Sequence, residues 1–222
     1  MTTSVVIMAG GRGLRLHPLT NHRPKPLLKV GGKPILEQII DGFTCQGFKK
    51  IWLCVNYMAD LIEGHFGDGH RFDARIRYVH EEEPLGTGGA LSLLPQWDVP
   101  FIVCNADVLC RIQYGVLMEH HARSNAEATV CLALHQHQIP YGVAEFEDER
   151  FIGLREKPIE GVLVNAGIYV LEPDVPRRML PGPYDMPDLL KRLTRLSAYP
   201  IEGYWQDVGT FEHLARANTE WE

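Results

Sequence analysis

Four short runs in the first half of the chain are dominated by apolar, β-branched and aromatic residues: SVVIM (4–8), IWLCVN (51–56), IRYVH (76–80) and FIVCNAD (101–107). A strand with one wet face alternates apolar with polar, and these runs scarcely do. They read as strands of a parallel sheet covered on both faces. Between the first two, PILEQIIDGF (34–43) changes period and places Ile35, Leu36, Ile39, Ile40 and Phe43 on one helical face. Pro34 suits the first turn of that helix. ADLIEGHF (59–66) and GGALSLL (88–94) read as shorter helices. Strand and helix therefore alternate, which predicts a βαβ architecture.

The second half has a different texture. ATVCLAL (128–134) is a further strand, and YGVAEFEDERFIGLREKP (141–158) predicts a hairpin turning near Glu147 to Arg150. VNAGIYVL (164–171) reads as a strand, and MPDLLKRLTRL (186–196) as a helix. The last segment predicts a strand, a loop and a helix capped by Thr210. The expected fold is a single α/β domain over 1–222. Its core is a Rossmann-like mixed, mainly parallel sheet flanked by helices, with an inserted antiparallel portion.

Charge narrows the partners. A net charge of −6 with no Lys/Arg run argues against nucleic acid, so functional cations should be local and aimed at a small anion. Five scattered cysteines without CxxC spacing read as reduced thiols. No apolar run approaches the ~20 residues that span a bilayer, and MTTSVVIM lacks a signal-peptide n-region. A cytoplasmic protein is expected, with no membrane partner.

The first strand runs into AGGRGLRLHPLTNHRPKP (9–26), a glycine loop followed by three prolines. A P-loop needs GK[ST] at the end of its loop, and none follows Gly10, Gly11 or Gly13. The dinucleotide fingerprint G-x-G-x-x-G fails because Leu16 stands where the third glycine belongs. Pro18, Pro24 and Pro26 also forbid a regular helix directly after the loop. What remains is an extended loop in which backbone N–H groups can approach phosphate oxygens. Arg12 and Arg15 offer guanidinium forks, and Lys25 between two prolines offers a stiffly held charge. That suits a polyphosphate lying along the loop.

MAGGRGLRLHPLTNHRPKPLLKVGGKP resembles the opening signature of the sugar nucleotidyltransferases, the nucleoside-diphosphate-sugar pyrophosphorylases. EEPLGTGGAL (82–91), VCNADVL (103–109), PYGVAEF (140–146), EKP (156–158), VNAGIYVL (164–171) and YWQDVGT (204–210) match further family landmarks in order. DMPDLL and EGYWQDVGTFEHLARAN are most similar to the mannose-1-phosphate guanylyltransferase-like subgroup, often linked to CBS domains that this sequence does not show.

The resemblance implies the nucleotide-diphospho-sugar transferase fold, with a nucleotide-binding half over roughly 1–110 and a sugar-phosphate-binding half over 111–222. It implies transfer of a nucleotidyl group from an NTP, GTP favoured, to a sugar 1-phosphate, with Mg²⁺ and release of pyrophosphate. A phosphate monoester with a second pKa of about 6 arrives largely ionised, so no covalent nucleophile is required. The task left to the protein is to bring two polyanions together in line.

Arg15, Lys25 and Asp107 are the implied catalytic residues. Ala9, Gly10, Gly11, Gly13, Arg15, Lys25, Leu85, Gly86, Thr87 and Asn105 are implied to bind the nucleotide. Gly142, Glu156, Lys157 and Asn165 are implied to bind the sugar phosphate, and Asp107 with Asp207 to hold metal. Two departures stand out: Leu14 where the family usually has Thr or Ser, and Ala106 where it usually has Gly. They leave open a catalytically weak nucleotide-sugar-binding regulatory protein; a uridylyltransferase is the nearer alternative, and homo-oligomerisation is left open. His120-His121 and His135-Gln-His137 lack the third ligand that zinc needs.

Overall fold

Strand β1 (Ser4–Met8) and strand β4 (Lys50–Val55) lie side by side in parallel, and every residue of β1 except Met8 is buried. The computed structural model describes residues 3–180 and 182–221. Between β1 and β4 come a small ladder of β2 (Lys29–Val30) with β3 (Lys33–Pro34) and helix α1 (Ile35–Thr44). Ile35, Leu36, Ile39, Ile40 and Phe43 of α1 are all buried, as the 3.6-residue period predicts. Each such side chain contributes about 1.5–3 kcal/mol by leaving water, which outweighs the slight helix reluctance of isoleucine. Pro34 closes β3 immediately before the first helical residue.

Helix α2 (Ala59–Phe66), β5 (Arg75–His80), β6 (Phe101–Asn105), β7 (Val108–Cys110) and α3 (Tyr114–Ser124) complete the first half. The second half contributes β8 (Ala128–Gln138), β9 (Gly142–Glu147), β10 (Arg150–Glu156) and β11 (Ile159–Leu171). It ends with short helices α4 (Asp174–Arg177) and α5 (Met186–Leu190), strands β12 (Leu196–Pro200) and β13 (Trp205–Asp207), and helix α6 (Phe211–Glu220). The main sheet has seven strands in the order β12-β8-β11-β6-β1-β4-β5. Only β11 runs antiparallel to its neighbours β6 and β8. Two apolar clusters cover the sheet, the larger with α1, α2 and α3, the smaller with α4 and α5. The α/β, mainly parallel expectation holds.

Two local expectations change. Residues 88–94 make a 3₁₀ turn (Gly89–Leu93), because this segment is pressed against residues 182–186. A Cβ at Gly89 would stand 3.0 Å from the Gly182 carbonyl. The helix expected over 186–196 stops at Leu190. Backbone N–H groups of Thr194 and Arg195 instead donate to the Glu127 carboxylate, and the chain enters β12 beside β8.

Candidate active site

The glycine–proline loop folds back on itself in two 3₁₀ turns, Leu14–Leu16 and Lys25–Leu27. Gly13 takes φ 63°, and a side chain there would press on Thr20 and on the Lys25 Cβ at 3.1 Å. The Thr20 hydroxyl donates to the Gly13 carbonyl (3.0 Å), while Tyr57 Oη donates to the Thr20 carbonyl (3.2 Å). Thr20 is fully buried. It ties the ends of the loop together and so fixes Lys25, a role the sequence did not announce.

Lys25 is itself buried. Its ammonium is hydrogen-bonded to Asp107 Oδ2 and lies 3.9 Å from Asp207 Oδ1. The two aspartates meet because β7 and β13 pair antiparallel, with Asp207 opposite Val108 and the Val208 N–H donating to the Asp107 carbonyl. Trp205 anchors that ladder through its indole N–H on the Ala166 carbonyl (2.9 Å). Arg15 completes the cluster: a Cβ at Gly209 would lie 2.9 Å from Arg15 Nη2 and 3.1 Å from the Asp207 carboxylate. Burial, and then the neighbouring Asp107 charge, pushes the Asp207 carboxyl above its ordinary range, with Lys25 and Arg15 pulling the other way.

One oxygen of each aspartate, Asp107 Oδ1 and Asp207 Oδ1, is buried without a hydrogen-bond partner. Such orphan carboxylate oxygens are expensive unless a ligand satisfies them. Hard anionic oxygens in a pair fit a divalent cation that takes its remaining ligands from water and phosphate. Among the described residues no group of three or more His, Cys, Asp or Glu side chains converges on one point.

Two clefts meet at this cluster, and Asn105 lines both. The first, of about 420 Å³, is lined by Ala9, Gly10, Gly11, Gly13, Lys25, Gly86, Thr87 and Asp107, with Leu14 and Ala106 also on its wall. Leu85 does not line it; its carbonyl accepts from the Tyr184 N–H, and its N–H donates to Glu81. Thr87 is engaged by the 182–186 segment, its hydroxyl bonded to Asp185 and accepting from the Met186 N–H. The DMPDLL motif therefore buttresses this loop.

Glu81 is a charged lining residue that sequence reasoning missed. Its carboxylate accepts the Leu85 N–H (3.0 Å), and a Cβ at Gly10 would lie 2.8 Å from it. Desolvation raises its pKa, partly offset by that hydrogen bond. Its position just past a strand, at the carboxyl edge of a parallel sheet, was a usable signal.

The second cleft, of about 480 Å³, is lined by Asn165, Asp207, His135, Trp205, His213 and Arg216 among others. Asn165 is partly committed, donating to Tyr169 Oη (2.8 Å) and accepting the Gly167 N–H (3.0 Å). His213 and Arg216 come from α6, whose start is capped as expected by Thr210 accepting the His213 N–H. Their i, i+3 spacing puts them on one face, a legible pattern that the motif reading passed over. Gly142, Glu156 and Lys157 line neither cleft. They sit together where β9 and β10 begin and end, with Glu156 opposite Gly142 and Lys157 at φ 45°. The paired histidines are otherwise employed: His121 bonds Thr129 and Glu172, His120 bonds Ser197.

Comparison with known proteins places the chain in a family. The chain is 37% identical over 221 residues to a mannose-1-phosphate guanyltransferase of Yarrowia lipolytica and 35% identical over 222 residues to one of Schizosaccharomyces pombe. Both alignments take in 92% of this chain and 60% of the relative, so the chain spans about 60% of the length of these curated proteins. The crystal structure of HddC from Yersinia pseudotuberculosis superposes with a TM-score of 0.78, covering 100% of both chains at 25% identity. Residues 4–222 match the family described as nucleotidyl transferase. This chain therefore belongs to the nucleotidyl transferase family.

Proposed function

We propose that the chain transfers a guanylyl group from GTP to mannose 1-phosphate, releasing pyrophosphate. The observation that carries the reading is the Lys25–Asp107–Asp207 cluster at the junction of two clefts. A reaction between two polyanions needs cations and carboxylate-held charge at the meeting point and binding room on either side. The nucleotide takes the first cleft, within residues 1–110, with its phosphates along the Gly10–Gly13 backbone. The sugar phosphate takes the second, built mainly from 111–222 with Asn105 and Val108 from the first half.

A sugar-phosphate oxygen attacks the α-phosphorus, a P–O bond forms, and the α–β P–O bond breaks with its electrons leaving on pyrophosphate. Lys25, buried and held by the loop, offsets charge on the α-phosphoryl oxygens, and Arg15 receives the leaving phosphates. Asp107 and Asp207 would hold Mg²⁺, which when bound neutralises phosphate charge and fixes the phosphates in line. Glu81 supports guanine as the base. An ionised carboxylate accepts from adjacent N–H donors, and guanine presents two on its Watson–Crick edge where uracil presents one. Gly142, Glu156 and Lys157 are assigned to the sugar phosphate from the family resemblance alone. Five unpaired cysteines support a reducing, cytoplasmic setting. No described helix is long and apolar enough to cross a membrane.

The test is pyrophosphate release with GTP, UTP, CTP, dTTP and ATP, each against a panel of sugar 1-phosphates. GTP with mannose 1-phosphate should give the highest kcat/KM, and Glu81→Gln should narrow the gap between GTP and UTP. UTP as the preferred donor overturns the guanylyl assignment. Nucleotide binding without any pyrophosphate release overturns the catalytic one.

A further inference from the structure

The second cleft needs a cation that the first does not lend it. A sugar 1-phosphate brings a group that is largely dianionic near neutral pH, and Asp207 on the wall is a second acidic group. Neither Arg15 nor Lys25 lines this cleft, and Lys25 already bonds Asp107. A divalent ion held by Asp107 and Asp207 would be offset by the charges of those same carboxylates. Lys157, the cation that the family resemblance offers, lines neither cleft. Among the described residues on the wall, only Arg216 is a lysine or an arginine.

Helix α6 places this residue. Residues 208–210 alone separate Asp207, the end of β13, from the start of α6 at Phe211. Leu214 and Ala217 pack on the larger apolar cluster, which fixes the rotation of the helix. The neighbouring row, His213 and Arg216, then faces the cleft, its members about 4.5 Å apart along the axis. An exposed helical arginine ordinarily finds a carboxylate one turn away. Glu212 and Glu220 stand at both such positions, yet no ion pair or hydrogen bond engages the Arg216 guanidinium among the described residues. It lies along the cleft wall instead. His213 is also short of partners, with its Nδ1 buried and not hydrogen-bonded.

We propose that Arg216 binds the phosphate group of the sugar 1-phosphate, with His213 as a second donor, and so makes this cleft select a phosphorylated sugar. The inference rests on the proposed transfer to a sugar 1-phosphate and names the residue that recognises that substrate. A guanidinium fork takes two phosphate oxygens at once and leaves the third free to face the α-phosphorus. A neutral imidazole still offers one N–H. Because α6 begins just past Asp207, a phosphate held there stands beside the carboxylate pair.

The test is steady-state kinetics of the full chain with each substrate varied separately, the sugar being mannose 1-phosphate unless the substrate panel selects another. Arg216→Gln should raise KM for the sugar 1-phosphate roughly 10–100-fold, the range of one charge-assisted hydrogen bond, and leave KM for GTP unchanged. Arg216→Lys should recover part of that loss, because it restores the charge without the fork. His213→Ala should raise the same KM by less. Arg216 is exposed, so the Gln variant should keep the wild-type circular dichroism spectrum; if it does not fold, Arg216→Lys decides by the same split between the two KM values. An unaltered KM for the sugar 1-phosphate overturns the inference and leaves nucleotidyl transfer standing. So does an equal rise in both KM values, which marks a structural role. A wild type that releases no pyrophosphate with any pair overturns the proposed function, and this inference with it.

Discussion

Glu127 and the pair Asp107–Asp207 are both carboxylate sites at least partly withdrawn from water, and they are treated in opposite ways. Glu127 accepts from Arg178 Nη2 (2.7 Å), from the Thr194 N–H and hydroxyl (both 2.9 Å) and from the Arg195 N–H (3.0 Å). Arg178 first, then these N–H donors, hold its carboxyl down to about 2. Its own backbone bonds Arg195 and Glu172, so one residue fastens β12 and the end of β11 to the start of β8. Asp107 and Asp207 each leave an oxygen unpaired, and the Asp207 carboxyl is pushed up by burial and by Asp107. A carboxylate saturated by the protein builds the fold. One left short of partners costs the resting structure and leaves an oxygen that a ligand can satisfy.

Lys25→Met should break the functional side of this contrast most severely. It removes the cation between two carboxylates, the charge proposed to face the phosphates. Steady-state kinetics should show kcat/KM lower by about 2–4 kcal/mol equivalent, as for other groups that stabilise transition-state charge. Near-wild-type kcat/KM would take Lys25 out of the site.

Glu127→Gln addresses the structural side. With the folded carboxyl held at about 2 and its ordinary value at 4.5, wild-type Glu127 contributes stability in full above 4.5. That contribution is lost as pH falls from 4.5 through about 2. Thermal melts should therefore show a lower Tm for the Gln variant at neutral pH and a gap that closes toward pH 2, with kcat/KM unchanged at a temperature where both are folded. A gap independent of pH would mean that the ionised carboxylate is not what holds β12.

The smallest and most discriminating effect belongs to Asp207→Asn. Because the folded protein raises this carboxyl above 3.8, ionisation at Asp207 costs stability above that value. Asparagine should raise Tm slightly at neutral pH, an advantage that fades as pH falls toward 3.8. It should also shift the Mg²⁺ dependence of turnover to higher concentration. A lower Tm with unaltered Mg²⁺ dependence would make Asp207 a structural residue like Glu127.

Much of this molecule was legible in sequence because the signals involved are local. Apolar runs and a 3.6-residue period fixed the alternation of strand and helix, and Ala59–Phe66 formed where ADLIEGHF predicted it. Proline and glycine restrict φ one residue at a time, so the loop after β1 could be recognised as neither a P-loop nor a dinucleotide turn before any contact was known. Thr210 capped its helix because a cap needs only a side chain and a nearby N–H.

Tertiary structure decided what depends on pairing between distant segments. Asp107 and Asp207 face one another only because β7 and β13 are in register. Glu81 reached the first cleft because β5 takes the sheet edge beside β4. The apolar period over 186–196 lost to the N–H groups that Glu127 collects. The exposed ends of β8 and β11, residues 134–138 and 159–163, likewise appear only because β12 and β6 stop short of them, leaving a strand pattern without a sheet to bury it. Local preferences are worth tenths of a kcal/mol per residue, whereas strand register is set by burying a whole face of side chains, and that burial prevails.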